Sequence, residues 1–197
     1  CIRDSLQLAP DGTIFHHGAT EDMHRFDPVG PGGLGSVTPL GPHGYGWYPD
    51  EGVSVLYDEG KILVAGGSTR AGFIESRPEA YRIDVNGPGP VLTPASPMHY
   101  PRQFMNEVVL PTGDVLVVGG NTNGVKFDDN FAIRNAESWS PSTDSWTLLN
   151  AQDQARTYHS SAILLPDARV MSGGGGLNGD PCPGTGAPGE CLSLIHI

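Results

Sequence analysis

The sequence predicts an all-β fold, a kelch-type β-propeller, from three observations. One unit, made of an apolar run, a turn and a second apolar run ending in glycines, occurs four times at intervals of about 50 residues. Glycine (28) and proline (18) are abundant among the 197 residues, and the apolar residues come in short regular runs, which favours a turn-rich β protein. No segment keeps the apolar spacing of an amphipathic helix, so we expect almost no helix. The four turn positions are Gly12, Gly60, Gly113 and Ala168.

Each unit can be interpreted as part of one propeller blade. The run "VLVV" at residues 115–118 is short, continuous and β-branched, which is typical of a central strand buried on both faces. The turns "PDG" and "PTG" predict tight hairpins, and the Gly-Gly pair after the second strand lets neighbouring backbones approach closely. Third strands are predicted at residues 79–81 and 137–139, where an acidic residue precedes an aromatic one by two positions, and a fourth near Trp146. Four strands per unit make a propeller blade.

The domain organisation follows from the repeat. We expect residues 1–190 to form one partial propeller of about four blades, taken from a larger ring of roughly seven. Residues 191–197, "CLSLIHI", follow a loop rich in proline and glycine without a strand–turn pattern, and we expect them to be a foreign or read-through tail. The chain starts at Cys1 and contains no signal peptide, so we expect the natural N-terminus to lie upstream.

Charge and hydrophobicity exclude two classes of partner. The chain has 11 basic and 22 acidic residues, a net charge of −11, and no cluster of lysines and arginines to neutralise phosphates. We therefore expect no nucleic-acid partner. No apolar segment approaches the roughly 18 residues that a membrane span requires, so none is expected. Three cysteines cannot all pair with one another, and they give no argument about the compartment.

A tyrosine and a histidine, Tyr158 and His159, stand where the first strand of the fourth unit begins. Adjacent residues of a regular strand point to opposite faces, so both could reach one ion only from irregular backbone at the entrance of the strand. Imidazole suits copper, and a tyrosinate oxygen is an acceptable partner ligand. From the residues alone, a packed aromatic beside a hydrogen-bonded histidine is the commoner interpretation of such a pair.

Two segments, "RQFMNEVVLPTGDVLVVGGN" and "RTYHSSAILLPDARVMSGGGGLNGD", carry a resemblance to a known family. Over residues 1–190 the chain resembles the galactose oxidase and glyoxal oxidase group of kelch-propeller copper radical oxidases. In that family, a Tyr-His pair ahead of a serine-containing apolar strand, a PDG-like turn and a glycine run supplies one axial and one equatorial copper ligand. The resemblance implies that Tyr158 and His159 bind copper and that Tyr158 is the catalytic base. It also implies an extracellular or secreted protein whose C-terminal domain, bearing the remaining histidine ligand, packs on the propeller.

The resemblance also points to departures. The family's second tyrosine, linked by a thioether to a cysteine, supplies the second electron of the reaction. In the segment "PRQFMNEVVLPTG", Phe104 falls where the family pattern has this tyrosine, and Asp50 is the nearest match to the cysteine, while Cys1 has the wrong spacing to its turn. A phenylalanine has no phenol to oxidise. Tyr100, four positions away, is either a displaced substitute or an aromatic that packs on Pro101 at the strand entrance.

Two functions remain open at this point. The first is an oxidase that converts primary alcohols or aldehydes, including carbohydrates, with O2 to give H2O2. The alternative is a non-catalytic kelch-repeat module that binds carbohydrate or protein through its loops. Phe104 with Asp50 favours the second, whereas the pair Tyr158 and His159 favours the first. A hydrolase on a similar propeller would need acids and arginines clustered on the channel-facing strands, and the sequence shows no such set.

Other candidate sites are weaker. His16 and His17 are adjacent on a predicted strand and should diverge, so we interpret them, with the nearby His24, as surface or packed residues. Asp128 and Asp129 lack the alternating spacing of oxygen ligands in cation loops and are expected to lie in a solvated loop.

The segment "GGGGLNGD" near the C-terminus is not a phosphate-binding loop, because no helix follows it and no lysine is placed to meet phosphates. In the family this segment carries two cysteines. Here Asn178 takes the place of the first, and Cys182 is shifted by Pro181, so the resemblance does not carry the family's local disulfide over to this chain.

Overall fold

The computed structural model of the protein describes residues 5–18, 21–47, 49–68, 75–126, 128–175 and 195–196. This part of the chain is built from β-strands and two 3-10 turns, at Pro31–Gly33 and Asp129–Phe131, and it contains no α-helix. The expectation of almost no helix is confirmed. No helix in these segments is long and apolar enough to span a membrane.

The strands form four antiparallel sheets, here called sheets A to D in chain order, and in each sheet the strands pair with their neighbours in sequence. Sheet A contains β1 (Leu6–Leu8), β2 (Ile14–His16), β3 (Asp22–Asp27) and β4 (Ser36–Pro42). Sheet B contains β5 (Val53–Asp58), β6 (Lys61–Ala65), β7 (Ala80–Asp84) and β8 (Val91–Ala95). Sheet C contains β9 (Gln103–Val109), β10 (Val115–Asn121), β11 (Asn135–Ser140) and β12 (Ser145–Ala151). Sheet D contains β13 (Ser160–Leu164), β14 (Val170–Gly174) and β15 (Ile195–His196).

Strand β15 belongs to the segment 191–197 that was expected to be a foreign tail. Its backbone pairs with β14, with His196 opposite Met171 and Ile195 opposite Ser172. The boundary at residue 190 stays a prediction.

The first strands of the four sheets lie side by side. Strand β9 contacts β5 on one side and β13 on the other. Strands β1 and β5 are linked by the Gln7 side-chain amide, which donates to the carbonyl of Ser54 at 3.1 Å. Successive sheets are therefore arranged around their first strands, as blades around an axle. This is the partial propeller that the repeat predicted.

Hydrophobic cores fill the space between successive sheets, and the second strands supply much of them. In β6, Ile62 and Val64 pack in the core shared with sheet A, while Leu63 and Ala65 pack in the core shared with sheet C. All four are fully buried. Burying one such large aliphatic side chain stabilises the fold by about 1.5–3 kcal/mol. The second strands read as continuous apolar runs because both of their faces are covered.

A buried ion pair holds the loop that enters sheet C. The Arg102 guanidinium donates to the Glu137 carboxylate at 2.6 Å and to the carbonyl of Gly119 at 3.0 Å. Glu137 also accepts from the backbone N–H groups of His99 at 2.7 Å and Tyr100 at 3.3 Å. Burial lowers the pKa of Arg102, and the charge of Glu137 opposes that shift. Because each charge has several partners, the pair fixes the path of the chain into β9.

The glycine pairs at the ends of the second strands connect one sheet to the next. The N–H of Gly67 donates to the carbonyl of Arg102 at 3.0 Å, and the N–H of Gly120 donates to the carbonyl of Arg156 at 2.6 Å. A Cβ atom on Gly119 would overlap the carbonyl oxygen of Arg156. The close backbone approach expected from the Gly-Gly pairs is present in the structure.

The hairpin turn of sheet D has an alanine at the position that is glycine in the other three turns. Gly12, Gly60 and Gly113 have φ of 83°, 64° and 86°, and Ala168 at the corresponding position has φ of 66°. A left-handed conformation costs an alanine roughly 1–2 kcal/mol that glycine does not incur.

Replacing Ala168 by glycine should raise the free energy of unfolding by about 0.5–1 kcal/mol, because relief of strain exceeds the extra entropy of the unfolded chain. Equilibrium denaturation of the variant and the wild type measures the change. The control is Ala151→Gly at the exposed end of β12, where φ is not positive and glycine should destabilise. A loss of stability in Ala168→Gly like that of the control would contradict the prediction.

Candidate metal centre

Tyr158 and His159 lie in a turn immediately before β13. The turn is closed by the N–H of Ser160, which donates to the carbonyl of Thr157 at 3.0 Å. His159 has a left-handed φ of 66°. The two rings stack with centroids 3.9 Å apart and an interplanar angle of 27°. Irregular backbone thus brings both side chains to the same side of the chain. The sequence analysis required this arrangement if the two residues are to bind one ion.

The residues just before this pair are held from both neighbouring sheets. The carbonyl of Arg156 accepts from Gly120 of sheet C, and its guanidinium donates to the carbonyl of Gly174 in sheet D at 3.0 Å. The hydroxyl of Thr157 donates to the carbonyl of Gly175 at 3.2 Å. The position of the Tyr-His pair is therefore set by the contact between the two blades.

The left-handed conformation of His159 recurs at other strand entrances. Glu51, Phe104 and His159 have φ of 61°, 60° and 66°, and each lies just before or at the start of the first strand of its sheet. Strained backbone of this kind is common at functional sites. Because it recurs in three sheets, a left-handed residue at the start of the first strand is a general feature of this scaffold and is not specific to the Tyr-His pair.

Strand register relates Phe104 to His159. Met105 pairs with Gly119 in sheet C, and Ser160 pairs with Gly174 in sheet D, where the two glycines hold corresponding places. The residue before each is Phe104 in one sheet and His159 in the other. In register, Phe104 therefore corresponds to His159.

Three of the described residues pack on the ring of Tyr158. Besides His159, the edge of Phe104 packs on it at 5.1 Å between centroids and 74° between planes. The Nζ atom of Lys126 lies 4.8 Å from the ring centroid, within cation–π range. Tyr158 is 9% exposed, whereas the adjoining His159 is exposed. The phenol is thus held in a packed environment, and the imidazole faces solvent.

The sequence analysis did not identify Lys126 as a residue of the site, because its loop, "NTNGVKFDDN", contains no recognisable pattern of metal or substrate ligands. The only signal was its place after the glycine pair of the preceding unit.

The pair offers a phenol oxygen and an imidazole nitrogen, which together suit a copper ion. Among the residues that the structure describes, there is no group of three or more histidines, cysteines, aspartates or glutamates that could hold a metal ion. Within the described residues, Tyr158 and His159 could therefore provide only two of the ligands that such an ion needs.

The other residues considered in the sequence lie in different surroundings. Asp50 lines a cavity of about 180 Å3 together with His17 and Ser54. Tyr100 lies beside the buried ion pair, with its ring centroid 5.7 Å from the Arg102 guanidinium. The predictions made for Cys1, Asn178, Pro181 and Cys182 concern residues outside the described segments.

The adjacent histidines of sheet A diverge, as the alternation along a strand predicts. His17 is buried with its Nε2 atom 2.6 Å from the Ser54 hydroxyl, and burial lowers the pKa of His17 to about 3. His16 faces His24 across the sheet instead, a contact that sequence reasoning missed.

Asp128 begins the 3-10 turn Asp129–Phe131 and accepts from the N–H of Asn130 at 3.0 Å. Hydrogen bonds from Asn123 and Asn130 lower the pKa of Asp128. The carboxylate thus serves the local loop, in agreement with the loop interpretation of this segment.

Comparison with known proteins identifies the family. The family model described as glyoxal oxidase N-terminus matches residues 57–180 of the chain. The chain belongs to this family.

Similar proteins include two named oxidases. A galactose oxidase from Gibberella zeae is 33% identical over 176 residues, which cover 86% of this chain and 26% of that protein. The aldehyde oxidase GLOX from Vitis pseudoreticulata is 30% identical over 147 residues, which cover 64% of this chain and 27% of that protein. The chain thus spans about a quarter of the length of these relatives.

One solved structure is similar over nearly the whole chain. It is a fungal alcohol oxidase of the AA5 family in complex with copper, 33% identical, with a TM-score of 0.82 over 91% of this chain and 37% of that one. The four sheets are therefore part of a propeller of the galactose oxidase type.

Replacing His159 by glycine and by alanine separates backbone strain from the loss of the imidazole. Both variants lack the ring, but only alanine keeps the cost of the left-handed conformation. We expect His159→Gly to unfold with a free energy about 0.5–1 kcal/mol higher than that of His159→Ala. Urea titration measures both. If the alanine variant is equally or more stable, His159 does not have this backbone conformation.

Proposed function

We propose that the protein is a copper radical oxidase that oxidises primary alcohols or aldehydes with O2, and that Tyr158 and His159 are two of its copper ligands. The observation that carries the proposal is the turn before β13, where left-handed backbone stacks a phenol on an imidazole. Membership of the glyoxal oxidase family and the copper in the similar alcohol oxidase support it.

The overall reaction is a balanced two-electron transfer. An alcohol, RCH2OH, and O2 give an aldehyde, RCHO, and H2O2, while an aldehyde hydrate and O2 give a carboxylic acid and H2O2. The substrate gives up two electrons and two protons, and O2 receives them. When bound, copper supplies one-electron redox chemistry and attracts the substrate oxygen, so a second one-electron group has to take part.

Tyr158 is proposed to accept the proton of the substrate hydroxyl. A general base has to lie within hydrogen-bond reach of the proton that it takes, and it has to hold that position. The packing of Phe104, His159 and Lys126 around the ring restrains the phenol in this way and excludes water from one side of it.

His159 is proposed to act only as a ligand. Its imidazole is exposed and stacked on Tyr158, so the ring plane is set before any ion binds. Such preorganisation lowers the entropy cost of binding.

Whether radical turnover is possible depends on which roles Phe104 and Asp50 have. If they take the places of the radical tyrosine and its cysteine, radical turnover is absent, and a non-catalytic binding module becomes the better interpretation. The strand register, in which Phe104 corresponds to His159, favours another role. We propose that Phe104 packs against Tyr158 and that the radical pair belongs to other parts of the longer relatives' fold. Secretion and a C-terminal domain packed on the propeller are parts of the same proposal.

Copper binding tests the ligands. Tyr158→Phe and His159→Ala should each weaken copper binding by at least about tenfold, because each removes a donor atom. Copper content after loading and dialysis gives the measurement. Tyr57→Phe is the matched control, since Tyr57 is a half-buried tyrosine that packs on Trp139 in the adjacent core. Unchanged copper uptake in both ligand variants would exclude this site.

Peroxide formation tests the activity separately. The copper-loaded full-length protein is supplied with small aldehydes and primary alcohols, and H2O2 is measured with a coupled peroxidase. We expect peroxide from the wild type and none from Tyr158→Phe. Stoichiometric copper without peroxide would refute the oxidase and support the binding module.

A further inference from the structure

Two histidines of sheet A meet across neighbouring strands, far along the chain from the Tyr-His pair. His16 on β2 and His24 on β3 are directly paired in the antiparallel register. Their Nδ1 atoms are 3.4 Å apart, while their ring centroids are 5.5 Å apart. Because the nitrogens are much closer than the ring centres, both Nδ1 atoms face the space between the rings.

The separation of the two nitrogens is informative. A distance of 3.4 Å is longer than the usual 2.7–3.2 Å of an N–H···O hydrogen bond, so a hydrogen bond between the two imidazoles would be a weak one. Two nitrogens that each bind a tetrahedral zinc ion at about 2.05 Å lie roughly 3.3 Å from one another. At a right angle, as in a square-planar copper site, the same bonds would bring them to about 2.9 Å. The observed spacing fits zinc.

We propose that His16 and His24 form a zinc-binding site through their Nδ1 atoms. A cross-strand pair is well suited to this role because the strands themselves fix the separation of the two side chains. The site lies in sheet A, whereas Tyr158 and His159 belong to the entrance of sheet D, so the two are independent.

The surroundings of the pair support ligation. The ring of Phe26 packs against both imidazoles, at 6.1 Å from His16 and 6.3 Å from His24 between centroids, and restrains their rotation.

Two protein ligands leave part of a tetrahedral sphere to be filled. Both histidines are half-buried, so solvent can reach the site, and water or another exchangeable ligand can take the remaining positions. The described segments contain no group of three or more histidines, cysteines, aspartates or glutamates that could hold a metal ion, so they add no third such ligand to this pair. The net charge of −11 favours cations near the protein.

Calorimetric titration of the purified, metal-free protein with zinc chloride tests the site. We expect His16→Gln and His24→Gln each to weaken binding of one zinc ion by at least about tenfold. His99→Gln is the matched control, because His99 is an exposed histidine in the loop before β9 and glutamine can still donate to Glu137. It should bind zinc as the wild type does. The same titration of the double variant Tyr158→Phe/His159→Ala should retain the zinc site.

Unchanged zinc binding in both His16→Gln and His24→Gln would overturn the proposal. A second measurement needs no variant, and therefore applies even if one of these proteins fails to fold. Histidines of the wild type are modified with diethyl pyrocarbonate with and without saturating zinc, and the modified residues are identified by mass spectrometry. Zinc should reduce modification of His16 and His24 by at least about tenfold and leave His99 unaffected. Equal modification of His16 and His24 with and without zinc would also overturn it.

Discussion

The described structure depends on one recurring contact between neighbouring blades. In this contact, a glycine at the end of the second strand of one blade meets the backbone of an arginine at or just before the first strand of the next blade. Gly120 donates its N–H to the carbonyl of Arg156, and Gly67 does the same to Arg102. A side chain at Gly119 would occupy the place of the Arg156 carbonyl. The inner strands of two sheets can therefore lie next to each other, and the hydrophobic cores between the sheets can close, only where the second strand ends without a side chain.

The contact between Gly120 and Arg156 also positions the candidate metal centre. Once the Arg156 carbonyl is bound to sheet C and its guanidinium to Gly174, the chain has little room before it has to enter β13. It makes the turn with His159 in a left-handed conformation, and this turn stacks the imidazole on Tyr158. Backbone strain at this point is balanced by packing elsewhere, as is common where a structure holds reactive groups in one geometry. We propose that the copper ligands which this pair lacks lie in the parts of the longer relatives' fold that this chain does not span.

Much of the fold could be predicted from the sequence, because the information is local. The period of the repeat, the continuous apolar runs and the turn glycines each act over a few residues, and the position of Tyr158 beside its strand followed from the family motif. What could not be predicted depends on register and on loops. The meeting of His16 with His24 requires the pairing of two strands, and the approach of Lys126 to Tyr158 requires the path of a loop from another blade. Ala168 is a third case. Its left-handed conformation is indicated by the glycines at the corresponding positions of the other repeats and not by the preference of alanine itself.

Comparing alanine at Gly119 with alanine at Gly113 tests the role of the glycine contact most directly. Both glycines have positive φ, 71° and 86°, but an added Cβ meets backbone atoms of the next blade only at Gly119, and nothing within 4 Å at Gly113. Equilibrium unfolding should show that Gly119→Ala loses about 1–3 kcal/mol more stability than Gly113→Ala, the usual cost of overpacking. Equal losses in the two variants would show that the blades do not depend on this contact.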